Sequence, residues 1–327
     1  RPSRAKREQN VTTSLLDDIH GQEQAKRALT IAAAGHHNIL LTGPPGSGKT
    51  MLAKTLVSLL PPLSDEEKIA STKLHSLAGE LIDAAVTDRP FRSPHHTASR
   101  IVLIGGGTKP KPGEISLAHL GVLFLDEIPE YPRATLEALR QPLEDKKISL
   151  SRASGHSTYP ADFMLVATMN PCPCGYYGDS SKECSCSTTQ ILAYQKRLSG
   201  PLLDRIDLII NVSRVPNETL LQQTNNTNLQ HSNAINVIKI AKKFQSNRYK
   251  SSIKNNGNVS SKDVKNFFLL SPTVRELLVK AADRLNLSAR SYFKIIKVAR
   301  TIADLENSKE IEAAHIAEAL QYRLNAT

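Results

Sequence analysis

Lys49 and Thr50 close the run Asn38-Ile-Leu-Leu-Thr-Gly-Pro-Pro-Gly-Ser-Gly-Lys-Thr50, whose spacing is that of a phosphate-binding loop. Gly43, Gly46 and Gly48 let the backbone curl so that successive N–H groups face one concavity, with Pro44, Pro45 and Ser47 filling the loop. A helix over roughly Lys49 to Leu60, carrying Met51 in its first turn, brings its positive dipole end to the same place. Lys49 would reach the β- and γ-phosphates of ATP, and the Thr50 hydroxyl would ligate Mg²⁺. A second acidic signal follows an apolar run in Gly121-Val-Leu-Phe-Leu-Asp-Glu127. Asp126 would hold Mg²⁺ through water and Glu127 would polarise the attacking water. A third run, Phe163-Met-Leu-Val-Ala-Thr-Met-Asn170, ends in an amide suited to the γ-phosphate or the lytic water.

Three apolar runs ending in chemistry read as strands of a parallel sheet buried on both faces, with ligands gathered at their carboxyl ends. The expected fold is therefore α/β. The 327 residues leave room for two domains. Residues 1–14 hold four basic residues against one acid and read as a linker or tail. Residues 15–216 form the α/β core. Residues 217–262 form a polar, Asn/Gln-rich linker or insertion that keeps a helical period around Ile235–Phe244. Residues 263–327 form a small helical domain. Within the core, Leu16 to Leu29 turns helical, residues 64–85 read as helix from a capping signature at Ser64–Glu67, and residues 132–144 read as helix. Ile101–Ile104 is a strand or a helix end, followed by a mobile basic loop at Gly105–Gly113 with Lys109 and Lys111.

Formal net charge is +11, which favours a polyanionic partner. No apolar run approaches the length needed to span a bilayer, and a cytoplasmic protein is expected. Asp145–Arg152 alternates like a strand and pairs with Ser157–Tyr159. Its Lys146, Lys147 and Arg152 make it either a solvated edge hairpin or a nucleic-acid finger. His95 and His96 read as a structural pair rather than a metal site. All four cysteines fall in Cys172-Pro-Cys174 and Cys184-Ser-Cys186, around nine intervening residues. Four thiolates at that spacing fit tetrahedral structural Zn²⁺; free buried thiols and redox chemistry are the alternatives. Arg205 sits between Asp204 and Asp207, where a local ion pair would account for it.

Taken together, the phosphate loop, Asp126–Glu127, Asn170 and the helical lid resemble an AAA+ ATPase. The stretches FRSPHHTAS, GEISLAHLGVLFLDEIPE, MNPCPCGYYGD and RLSGPLLDRIDL resemble its magnesium-chelatase-like branch, of the ComM/YifB type. The likeness is dense over residues 15–215 and looser over 260–325. It implies an AAA+ P-loop fold with a parallel sheet flanked by helices and a small all-α lid. It also implies that Ile19 and Gly21 flank the adenine and that Asn170 is sensor 1. Arg205 would be an arginine finger offered to a neighbouring subunit, with Arg197 a second candidate, and Arg290 would be sensor 2. A homo-hexameric ring acting on single-stranded or branched DNA follows, with Gly105–Gly113 and the 145–159 hairpin facing the pore. Branch migration in natural transformation is the implied task. The alternatives are a motor subunit of a metal-chelatase-type complex and a protein-remodelling ATPase. The chain begins at Arg1, and the resemblance implies an upstream protease-like domain with residues 1–14 as the linker after it. The Asn-rich region is longer and more polar than the resemblance leads one to expect.

Overall fold

The computed structural model describes residues 14–80, 85–107, 110–152, 155–179, 181–216, 229–251 and 254–324. Helix α1 (Glu23–Gly35) leads into β1 (Ile39–Thr42) and α2 (Lys49–Leu59). Next come α3 (Asp65–Ala78), β2 (Phe91–Arg92), α4 (Arg100–Ile104), β3 (Gly105–Gly106), β4 (Lys111–Pro112), α5 (Glu114–Leu117) and β5 (Val122–Leu125). The chain continues through α6 (Arg133–Glu137), α7 (Arg140–Asp145), β6 (Lys147–Arg152), β7 (Gly155–Pro160) and β8 (Met164–Met169). Helices α8 (Thr188–Gln195) and α9 (Gly200–Leu203) precede β9 (Leu208–Asn211). The carboxyl-terminal part is helical: α10 (Gln230–Tyr249), α11 (Ser261–Phe267), α12 (Pro272–Arg284), α13 (Ala289–Leu305) and α14 (Ala313–Leu324).

The central sheet runs β2-β5-β8-β1-β9 and is parallel throughout. Each strand's alternation feeds both faces. Ile39, Leu41, Val122 and Phe124 join a core with α1, α2, α10 and α13. Leu40, Leu123 and Leu125 join a second core with Ile115, Leu139, Leu143 and Phe163. This two-sided burial is why the strands read as continuous apolar runs. The alanines of α1, fully buried at Ala28, Ala32, Ala33 and Ala34, give its neighbours a close approach. The α/β AAA+ architecture with a helical lid is the fold expected from the sequence.

The helical part docks on the amino-terminal side of the sheet. Lys294 lies 2.7 Å from Asp207, just before β9. The His37 ring bonds the Thr301 hydroxyl at 2.8 Å, just before β1. Arg323 donates to the Ile206 carbonyl at 2.8 Å. The phosphate loop leaves the opposite end of β1.

Several local expectations are corrected. Helix α3 stops at Ala78 because Gly79 takes φ +81° and its N–H turns back to the carbonyls of His75 and Ser76. Residues 81–84, included in the expected helix, lie outside the described residues. The expected helix over 132–144 is two, α6 and α7. Pro142 lacks an N–H and its ring opposes the carbonyl four residues back, so one continuous helix cannot form. The run at 101–104 is a helix. The loop after it is held at its base by the antiparallel pairs Gly105–Pro112 and Gly106–Lys111. Helix α10 is longer than the Ile235–Phe244 period and buries Ala234, Ile238, Ala241, Gln245 and Tyr249. Residues 217–228 of the polar region lie outside the described residues.

Candidate functional site

Strand register assembles the site. Thr42 lies beside Met169, and Leu125 beside Ala167, so Gly43, Asn170, Asp126 and Glu127 emerge together at the carboxyl edge. The loop is shaped by positive φ at Gly43 (+158°), Gly46 (+77°) and Gly48 (+87°). At Gly43 a side-chain carbon would lie 2.2 Å from the Val212 carbonyl oxygen, so only glycine fits. Helix α2 begins at Lys49, with Thr50 and Met51 behind it in the first turn.

The Lys49 ammonium folds over the loop. It donates to the carbonyls of Gly43 (2.7 Å) and Pro44 (2.8 Å) and to Asn170 Oδ1 (3.3 Å). Burial lowers its pKa, opposed by the charges of Asp126 and Glu127. Among the described residues the buried Ser47 hydroxyl has no hydrogen-bond partner, and none lies within 4 Å of a side-chain carbon placed at Gly46. A cation aimed into a glycine-lined concavity beside an unsatisfied hydroxyl and two carboxylates fits a nucleoside triphosphate with its magnesium ion.

Thr168 is a site residue that sequence reading passed over. Its hydroxyl donates to Asp126 Oδ1 and accepts from the Glu127 N–H at 2.9 Å, which fixes both acids. Glu127 is held at φ +50°, an unusual conformation for a residue with a side chain and one that clusters at functional sites. A hydroxyl near the end of an apolar strand was the available signal. Gln22 was also missed. Its amide donates to the carbonyls of Ser47 (2.7 Å) and Ser213 (3.2 Å), tying α1 to the loop. Ile19 is buried, and Gly21 turns with φ +60° beside Val215.

The arginines stand elsewhere. Arg205, 8% exposed, donates to Glu144 Oε2 (2.6 Å) and to the carbonyls of Arg140 (2.9 Å) and Pro201 (2.6 Å). Its flanking acids are not its partners, which corrects the local ion-pair account. Asp207 serves the Asn38 N–H (2.9 Å) and Lys294, and Asp204 serves Ser291 and Arg323. Arg290 binds the other oxygen of Glu144. Arg205 and Arg290 thus share one carboxylate in a cleft of about 560 Å³ at the amino edge, with Lys294 and Lys297. Arg197 is half exposed and pairs with Glu130 at 3.1 Å, near the Glu127 turn.

The four cysteine sulfurs lie within 4.8 Å of one another. Cys172–Cys174, Cys174–Cys184 and Cys172–Cys184 are separated by 3.4, 3.5 and 3.7 Å. A zinc tetrathiolate with bonds near 2.3 Å needs about 3.8 Å between sulfurs, and a disulfide about 2.0 Å. The N–H groups of Tyr177 and Cys174 point at the sulfurs of Cys172 (3.3 Å) and Cys186 (3.4 Å). Four sulfurs so placed could hold one metal ion.

The basic loop residues divide. Lys147 and Lys111 are exposed, and Lys111 rests on the Ala78 carbonyl at 3.3 Å. Lys146 is turned away by φ +55° onto Asp162 at 3.3 Å. Arg152 occupies the last β6 position opposite Gly155, and Lys109 lies outside the described residues. His95 and His96 stack on each other at 4.1 Å, with Tyr131 edge-on to His96 at 6.5 Å. Among the described residues no helix is long and apolar enough to cross a membrane.

Comparison with known proteins agrees with this geometry. Residues 15–220 match the family described as magnesium chelatase, subunit ChlI, and residues 230–323 match its carboxyl-terminal companion. The competence protein ComM of Haemophilus influenzae is 48% identical over 309 residues, covering 94% of this chain and 60% of ComM. Protein YifB of Salmonella typhimurium is 44% identical over 314 residues, covering 96% of this chain and 61% of YifB. The Escherichia coli YifB is 45% identical over 309 residues, with 94% and 60% coverage. The chain therefore spans about three fifths of the length of the curated relatives it matches. It belongs to the magnesium-chelatase-like family of AAA+ ATPases, of the ComM/YifB type.

Proposed function

We propose that this chain is the ATP-hydrolysing motor of a homo-hexameric ring that moves DNA, as a helicase or branch-migration enzyme in natural transformation and homologous recombination. The observation that carries the hydrolytic part is the Lys49–Asn170 contact beside Asp126 and Glu127. Lys49 binds the β- and γ-phosphates, Asn170 orients the γ-phosphate, and Glu127 takes a proton from the attacking water. Thr50 and Asp126 would hold Mg²⁺, which supplies positive charge against the phosphates. Cys172, Cys174, Cys184 and Cys186 would hold one structural Zn²⁺.

The position of the arginines supports the ring. Arg205 and Arg290 share Glu144 at the amino edge, while the phosphate loop is at the carboxyl edge. Neither arginine serves its own chain's nucleotide, and both suit a neighbour's. Phosphates arriving there compete with Glu144 for the two guanidiniums. The DNA reading is supported by the net charge of +11, by the exposed Lys111 and Lys147, and by the relative whose name makes it a competence protein. The family match also favours a second reading, a motor subunit of a metal-chelatase-type complex.

ATPase rate measured with single-stranded, duplex and junction DNA at two salt concentrations tests the proposal. Stimulation by DNA that weakens as salt rises is expected. A healthy basal rate indifferent to every DNA would overturn the DNA reading in favour of the chelatase-type one.

A further inference from the structure

The four-cysteine turn is seated on the phosphate loop. Gly175, between Cys174 and Cys184, has φ +85°, and a side-chain carbon there would lie 2.6 Å from Cδ and 2.7 Å from Cγ of Pro45. Arg214 holds the other flank. It donates to the Pro45 carbonyl (3.1 Å) and to the Ser181 hydroxyl (3.1 Å), and its Nε lies 3.5 Å from Asp179. The Asp179 side chain is 4% exposed and accepts from the Ser181 N–H and hydroxyl at 2.8 Å each. The Tyr176 ring lies under Lys182 (4.3 Å) and Arg214 (5.7 Å). Asn170, which touches Lys49, is two residues from the first cysteine.

We propose that the metal bound by Cys172, Cys174, Cys184 and Cys186 is a clamp on the nucleotide site: it fixes this turn against Pro45 and thereby sets the loop's affinity for nucleoside triphosphate. The proposal rests on the zinc reading given above. The turn is short and rich in glycine, serine and charge, with little apolar surface of its own to order it. Four bonds to one ion supply the missing constraint. With the ion gone, the contacts of Gly175 and Arg214 with Pro45 loosen, and so does the concavity of backbone N–H groups. Coupling of this kind is reciprocal, so bound nucleotide must in turn raise the affinity for the metal by the same factor.

The full chain is assayed for zinc by elemental mass spectrometry, for affinity with a fluorescent ATP analogue, and for zinc release to a chelating dye with and without a non-hydrolysable ATP analogue. About one zinc per chain is expected, with less zinc given up to the dye at equilibrium when nucleotide is bound. Cys184→Ser should lose the metal and bind nucleotide about tenfold more weakly. Arg214→Ala should keep the metal and still bind about tenfold more weakly, through loss of a charge-assisted hydrogen bond. If Cys184→Ser does not fold, Arg214→Ala and the equilibrium zinc release decide. Zinc-loaded protein with unchanged affinity in Arg214→Ala and nucleotide-independent release would overturn the clamp and leave the zinc reading standing. Wild-type protein without zinc would overturn both.

Discussion

The carboxyl and amino edges of the central sheet both gather charge, but they are built in different ways. The carboxyl edge is made by backbone. Three strands end in register, and a glycine loop turns its N–H groups inward around Lys49. The amino edge is made by side chains that meet only after folding: Glu144 from α7, Arg205 before β9, Arg290 and Lys294 from α13. The first arrangement gathers the phosphate loop, the two acids and the amide within one chain. The second holds two arginines on the two oxygens of one carboxylate, Glu144. On the proposed reading, each edge of this chain is half of a catalytic centre, and the halves meet between copies.

The largest effects should come from the carboxyl edge. Lys49→Ala is expected to abolish nucleotide binding and turnover. Glu127→Gln should bind nucleotide normally yet turn over about a hundredfold or more slowly, as loss of a catalytic base requires. Binding measured beside steady-state hydrolysis separates the two. Near-normal turnover in Glu127→Gln would remove its assigned role.

A smaller effect isolates the amino edge. Burial pushes the Asp207 carboxyl up, but Lys294 and then His37 outweigh it and hold it far below its ordinary 3.8. A depressed carboxylate contributes stability that is full above pH 3.8 and is lost as pH falls below it. Burial also lowers Lys294, to about 8, which leaves it charged at neutral pH. Lys294→Met should therefore raise the midpoint of acid unfolding by about one pH unit, read by circular dichroism. Lys49→Ala should leave that midpoint in place, because the two edges do not share charges. An unmoved midpoint in Lys294→Met would show that the pair does not anchor the lid.

The sequence made the two edges unequally legible. The phosphate loop is local: Gly43 to Thr50 contains its whole logic, and each glycine is demanded by a conformation or a close approach. The cysteine cluster was legible for the same reason, since its sulfurs are brought together by one short turn. Its seat on Pro45 was not, because Gly175 looks like any turn glycine until Pro45 is placed against it. Glu144 gave no signal, because its partners are 61 and 146 residues away. Lys146 and Lys147 read as one basic pair, yet a left-handed turn sends Lys146 to Asp162 and leaves Lys147 in solvent. The helix expected over 132–144 failed on Pro142, a breaker that an apolar period does not reveal.

The most direct test of the shared centre is a mixing experiment. Lys49→Ala and Arg205→Ala chains, each inactive alone, are combined in equal amounts and assayed for ATP hydrolysis. In mixed rings some intact phosphate loops face an intact arginine edge, so activity should rise to about a quarter of wild type. A mixture no more active than its two components would contradict a site completed by the neighbouring subunit.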